Sequence, residues 1–224
     1  MLTFYRFSLQ KQLFLLSVSG LFFGNWVGSF ISLTLEKEHT MTAEYQSDSD
    51  LVRLQSLLDQ PLSRSHILMV TDWVAQRPQR IDQVLVLVQS TKKHDAMTAS
   101  WLLSHIYDQH PKLIYGLETQ LVEMFFAITS DSVRRNLLRI IAGCPIADAK
   151  AGLLFDACLK WMVSGKHAIA VRANAMMVLL RLCCWMPELI PEVEQQIRSV
   201  LPYASSGFRS RAKMVLKRLE NIAD

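Results

Sequence analysis

The residues in this chain best equipped to meet a charged partner are cations at a recurring position. Arg134, Arg172 and Arg209 each follow an apolar residue at the head of a similar segment: Val133-Arg134-Arg135-Asn136, Val171-Arg172-Ala173-Asn174 and Phe208-Arg209-Ser210-Arg211. With Arg211 and Lys213 they form the candidate binding set, because a guanidinium fork grips carboxylates and phosphates through paired hydrogen bonds. The structural alternative makes the same arginines rungs that bond to neighbouring turns. A cation in the first turn of a helix opposes the helix dipole by ~0.3–1 kcal/mol, so its recurrence implies a use of one kind or the other. Lys217 and Arg218 extend the cluster along the last segment. There, cations complement the dipole at a helix end and solubilise the end of a repeat array; a nucleic-acid contact is the sharper alternative.

Other chemistries find less support. His105 and His110 are five apart, which is the wrong spacing for one helical face, and neither stands in a HExxH-like frame. His66, His94 and His167 fall at expected helix starts and read as surface residues. Cys144, Cys158, Cys183 and Cys184 lack metal-ligand spacing and lie in apolar stretches, so they read as free buried thiols of a reducing compartment. Trp73, Trp101, Trp161 and Trp185 sit among aliphatics at helical spacing and read as core. No Gly-rich phosphate loop, G-x-S-x-G elbow or Ser/His/Asp arrangement is present. The expectation is no catalytic residue, no metal and no cofactor.

The elements that carry the cations recur too. Counted with Met97-Thr98-Ala99-Ser100-Trp101-Leu102, the segment heads Met97, Val133, Val171 and Phe208 stand 36, 38 and 37 residues apart, with apolar residues every three to four positions behind each. That period is the mark of helix pairs stacked into a solenoid. Composition agrees: 50% of 224 residues are hydrophobic, with only 8 Gly and 7 Pro. The one strand-like run, Val84-Leu85-Val86-Leu87-Val88, lies inside a helix-length segment.

A first helix is expected near Leu51–Leu58, capped by Asp48 or Asp50 and ended by Pro61, and a second over about Ser65 to Gln76. Pro78, Pro111, Pro145 and Pro187 then precede first helices over about 79–90, 112–128, 147–163 and 188–200. Short polar turns lead into the second helices, where Asp95 and Asp131 should act as caps. Charge is uneven: residues 41–130 carry seven Lys/Arg against ten Asp/Glu, and residues 131–224 fourteen against eight. A basic C-terminal half suits an anionic partner or a solvated face.

The period and the Val133-Arg134 and Val171-Arg172 openings resemble HEAT or armadillo-type repeats. More narrowly, Phe155-Asp156-Ala157-Cys158-Leu159-Lys160-Trp161, Ala170 to Met176 and Arg209 to Lys217 resemble a family of short bacterial HEAT-like proteins. Its members often carry the name adenylosuccinate lyase. The resemblance covers residues 50–221. It implies an α-solenoid without lyase activity, since the Ser-rich loop and the length of true lyases are missing. The Asp that HEAT repeats place five residues before Val-Arg is absent as well, which puts an Asp–Arg ladder in doubt.

Residues 1–40 pose a separate question. From Leu13 to Leu35 run 23 residues without a charge, long enough to span a bilayer. Arg6 and Lys11 precede them, and Gly20, Gly24 and Gly28 have a small-xxx-small spacing. The other reading starts translation at Met41, because Lys37-Glu38 can be encoded by a ribosome-binding sequence at the right distance. The division expected is therefore 1–40 as an anchor or upstream extension, 41–50 as a flexible lead, and 51–224 as the repeat domain.

The sequence thus predicts an all-α chain, a right-handed α–α superhelix of about four to five helix pairs. It predicts a non-catalytic scaffold presenting its surface to a protein partner in the cytoplasm. A nucleic-acid binder using the basic half is the alternative, and a membrane-tethered scaffold follows if residues 13–35 are translated.

Overall fold

The computed structural model describes residues 46, 48–61 and 63–223, and the chain divides into two compact units, Met1–Asp48 and Ser49–Asp224. The apolar run 13–35 and the Met41 question lie outside the described residues. Among the described residues no helix is long and apolar enough to cross a membrane.

Ser49–Asp224 is an all-α solenoid of five helix pairs. The first helices are α1 (49–58), α3 (Arg80–Val88), α5 (Glu118–Ala127), α7 (Asp148–Val163) and α9 (Ile190–Val200). The second helices are α2 (Arg64–Ala75), α4 (Lys93–Gln109), α6 (Asp131–Ile141), α8 (Ile169–Cys183) and α10 (Ser206–Ala223). Each second helix packs on the next, α2 on α4, α4 on α6, α6 on α8 and α8 on α10, so they make one continuous layer. The first-helix layer is less regular: α5 packs on α7 and α7 on α9, but α3 and α5 barely touch.

The apolar stripes explain the packing. Leu54, Ile67, Val70, Leu102, Leu103, Ile106, Leu121, Phe125, Leu137 and Leu138 are all fully buried, and Val193, Ile197, Phe208 and Val215 continue the same core toward the C-terminus. Each such side chain contributes about 1.5–3 kcal/mol by leaving water. The run Val84–Val88 is helical and four of its five residues are buried. Helix α4 holds three hydroxyls in the core. Thr98, Ser100 and Ser104 donate to carbonyls of their own helix, at His94, Met97 and Trp101.

Helix boundaries depart from the sequence expectation in three places, each for a local reason. Asp48 is itself helical, and Asp50 does not cap α1 but lies within its helical turns, buried against Arg80, 3.2 Å away. The next start, that of α2, is capped by Ser63, whose hydroxyl accepts from the His66 amide at 3.1 Å. Further along, α5 begins at Glu118 instead of near 112, because Pro111–Leu113 forms a 3-10 turn and Gly116 takes a φ of +89°, which side-chain-bearing residues rarely adopt. The register of the repeat also shifts in α4. Val133, Val171 and Phe208 are buried, but Met97 is 38% exposed and the buried counterpart is Ala96.

Candidate functional site

The cations singled out by spacing divide into two groups. Arg134 and Arg172 are tied into the solenoid. The Arg134 guanidinium carbon lies 4.3 Å from the Trp161 ring centroid, with Asp131 3.9 Å away, and only 14% of the side chain is exposed. The Arg172 guanidinium lies 4.6 Å over Phe208, and its Nε donates to the Met162 carbonyl at 2.9 Å. That carbonyl is in the last turn of α7, where backbone acceptors lack helical donors, so Arg172 caps one helix while stacking on the next pair. Two further stacks have the same form, Arg80 over Trp73 at 3.7 Å and Arg181 over Trp185 at 5.2 Å.

The second group sits on the last helix. Arg209 and Lys213 are exposed on α10 and Arg211 is half-buried. With Lys217 and Arg218 they form no ion pair among the described residues. The three recurring arginines therefore do not form one surface: two are used internally and one faces solvent.

In place of the Asp–Arg ladder that the sequence put in doubt, Asp131 makes a different tie. It does not cap its own helix α6, which has no side-chain cap. Its carboxylate reaches forward one repeat instead, accepting from the Ala168 amide at 2.8 Å and meeting His167 Nδ1 at 3.1 Å. Ala168 is the N-cap position of α8, so an acid of the third pair caps a helix of the fourth. Burial alone would raise the Asp131 carboxyl, but the Ala168 amide, His167 and Arg134 together hold it below the usual carboxylate range. His167 in turn packs on Trp161, ring centroids 4.8 Å apart. His167 is thus a structural residue, as is His66, whose Nε2 donates to the Leu57 carbonyl at 2.9 Å.

A second ladder runs through the second helices. Asn136 Nδ2 donates to Ser100 Oγ at 2.9 Å, and Asn174 Nδ2 donates to the Arg135 carbonyl at 2.8 Å. Asn136, Asn174 and Arg211 hold one repeat position, so the first two rungs are the same device used twice. Charged rungs lie further along. His110 Nε2 meets Asp72 at 3.1 Å, and Arg139 Nη2 donates to both oxygens of Asp108. The layer consequently shows acids between its bases. Sequence spacing pointed to the Asn position but not to the acids, since Asp72, Asp108 and Asp131 occupy no common repeat place.

The thiols follow burial. Burial pushes Cys144 up to about 11 and Cys183 up to about 12, and raises Cys158 still further. Cys184 is exposed, contrary to the expectation of four buried thiols, because it falls at the C-cap of α8 just outside the apolar stripe. Among the described residues no group of three His, Cys, Asp or Glu side chains is placed to hold a metal. Trp73, Trp101 and Trp161 pack against the core as expected, whereas Trp185 is 40% exposed.

The pairing of helices, their period and these inter-repeat rungs describe a repeat array, and a HEAT repeat domain model matches residues 54–219. The chain belongs to the HEAT repeat family. No curated protein and no solved structure matches it. As a HEAT repeat protein it has the architecture of an interaction scaffold, each pair contacting its neighbours and leaving an extended surface for other molecules.

A concavity on that surface was not foreseen from spacing. It lies where α3 and α5 separate, between the turn after α3 and the turn after α5, and encloses about 710 Å³. Its floor is Val88, Ala96, Ala127, Ile128 and Val133; its walls are Gln89, Ser90, Thr91, Lys93 and the run Thr129-Ser130-Asp131-Ser132.

Proposed function

We propose that this HEAT repeat protein is a non-catalytic scaffold whose partner is a polypeptide. The observation that carries the reading is the alternation of charge over the second-helix layer. Asp108 pairs with Arg139, Asp72 and Asp131 meet the rings of His110 and His167, and Arg134 and Arg172 stack on aromatic rings. Nucleic-acid affinity rests on unpaired cations that displace counterions from several phosphates at once. Mixed charge with half-exposed Met97, Trp101 and Met177 between the ion pairs suits the polar rim and apolar centre of a protein interface instead.

Arg134 and Arg172 serve the solenoid in this reading, and Arg209, Arg211 and Lys213 are the members of the candidate set left to meet a partner. Those three, with Lys217 and Arg218, support a second reading, an anion-binding last helix that contacts nucleic acid. Affinity purification of the tagged full chain, with and without nuclease, separates the two. A protein recovered in stoichiometric amount after nuclease treatment supports the scaffold; recovery of nucleic acid alone, with binding that falls steeply as salt rises, supports the alternative and sinks the first.

A further inference from the structure

The cleft between the second and third pairs has the properties of a recognition site that the second-helix layer lacks. It opens between the C-terminal ends of α3 and α5 and the starts of α4 and α6. At about 710 Å³ it falls within the roughly 300–1,000 Å³ typical of ligand pockets. Its floor is aliphatic, and its walls carry five hydroxyls, from Ser90, Thr91, Thr129, Ser130 and Ser132. Such walls offer both donors and acceptors to the backbone of an extended chain.

The unpaired charge of the cleft is positive. Lys93 lines it and Lys92 is exposed beside it, and neither forms an ion pair among the described residues. Two carboxylates are near. Asp131 lines the cleft, but its oxygens are bonded on the far side to the Ala168 amide and His167. Asp95, in the first turn of α4, does not line it. The starts of α4 and α6 lack a side-chain cap, and the first-turn acids Asp95 and Asp131 offset their dipoles.

We propose that this cleft binds an acidic peptide segment of the partner protein, an apolar side chain seated on Val88, Ala96, Ile128 and Val133 with a flanking carboxylate on Lys93 and Lys92. The proposal rests on the scaffold reading above and gives it a site and a ligand chemistry. One or two lysines over an aliphatic floor suit a carboxylate beside a hydrophobic residue. They do not suit a phosphate backbone, which needs a longer run of cations and presents no aliphatic group to fill the floor.

The test is an NMR titration of the full chain with a blocked five-residue peptide holding leucine between two pairs of aspartates. Expected are saturable shifts at the amides of Ala96, Ile128 and Val133. Affinity should fall about tenfold in the Lys92→Gln/Lys93→Gln double variant, as the loss of a charge-assisted contact implies. Ala127→Trp should abolish binding, since Ala127 is exposed at the end of α5 and a tryptophan there fills the cleft while the melting temperature stays that of the wild type. No shift at those amides overturns the proposal. So does equal binding by Ala127→Trp, or equal binding of the lysine counterpart of the peptide or of a short oligothymidylate. Shifts that grow with protein concentration alone assign the cleft to a second copy of the chain and also overturn it. If these negative results are found while the tagged chain still retains a protein partner, the cleft assignment has failed and the scaffold reading stands.

Discussion

Replacing Asp131 by alanine removes two interactions that join the third and fourth pairs and one within α6. The lost partners are the Ala168 amide at 2.8 Å, His167 at 3.1 Å and Arg134 at 3.9 Å. A hydrogen bond to a charged group contributes about 1.5–3 kcal/mol when well shielded. Asp131 is 33% exposed, so solvent screening reduces each contribution, and the 3.9 Å pair with Arg134 adds little. Loss of the cap at α8 is itself worth about 1 kcal/mol. The sum is about 2 kcal/mol, which for a domain of this size lowers the melting temperature by roughly 4–8 °C. The pH dependence has a definite sign. Because the folded carboxyl sits below its unfolded value, the stabilisation is complete above the unfolded pKa and disappears as pH falls through the folded one. Urea denaturation at several pH values measures both quantities: the gap between wild type and Asp131→Ala should be full at neutral pH and narrow steadily below about pH 4. A gap under about 0.5 kcal/mol at neutral pH, or one that does not change with pH, refutes the inter-repeat cap.

Three further predictions concern packing and the thiols. A Cβ on Gly143 would fall on the Tyr107 hydroxyl, so Gly143→Ala should destabilise by about 1–3 kcal/mol, with partial recovery in the Gly143→Ala/Tyr107→Phe double variant by thermal melting. Asn136→Ala leaves the buried Ser100 hydroxyl without its donor and should cost about 1–2 kcal/mol, whereas adding Ser100→Ala should not double the loss in urea titration. In a thiol-labelling time course at neutral pH, Cys184 should react first. Cys144, Cys158 and Cys183 should react only as the chain opens, since burial keeps their thiols protonated.

The layer of second helices was legible because its signal is periodic. The buried residues Val133, Val171 and Phe208 and the paired asparagines behind the first two repeat at near-constant spacing. Proline marked the first helices well where it directly precedes them, as Pro145 does for α7, which begins at Asp148. It misled at Pro111, where a 3-10 turn and Gly116 intervene before α5. The cleft lies at the other end of α5, between turns that carry no periodic signal. The acids were illegible for another reason. Asp131 reads locally as a cap for its own helix, and only the stacked geometry brings it to the Ala168 amide of the next pair. Met97 misled by type, as an apolar residue at the expected place that the packing turns outward in favour of Ala96.

Hydrogen exchange of the full chain, alone and bound to the protein recovered by affinity purification, tests the scaffold account most directly. The account predicts slowed exchange in the turns at 89–93 and 128–132 and along the exposed sides of α4, α6 and α8. Recovery of no protein at all, or of nucleic acid alone with slowed exchange confined to α10 around Arg209, Lys213 and Lys217, would contradict it.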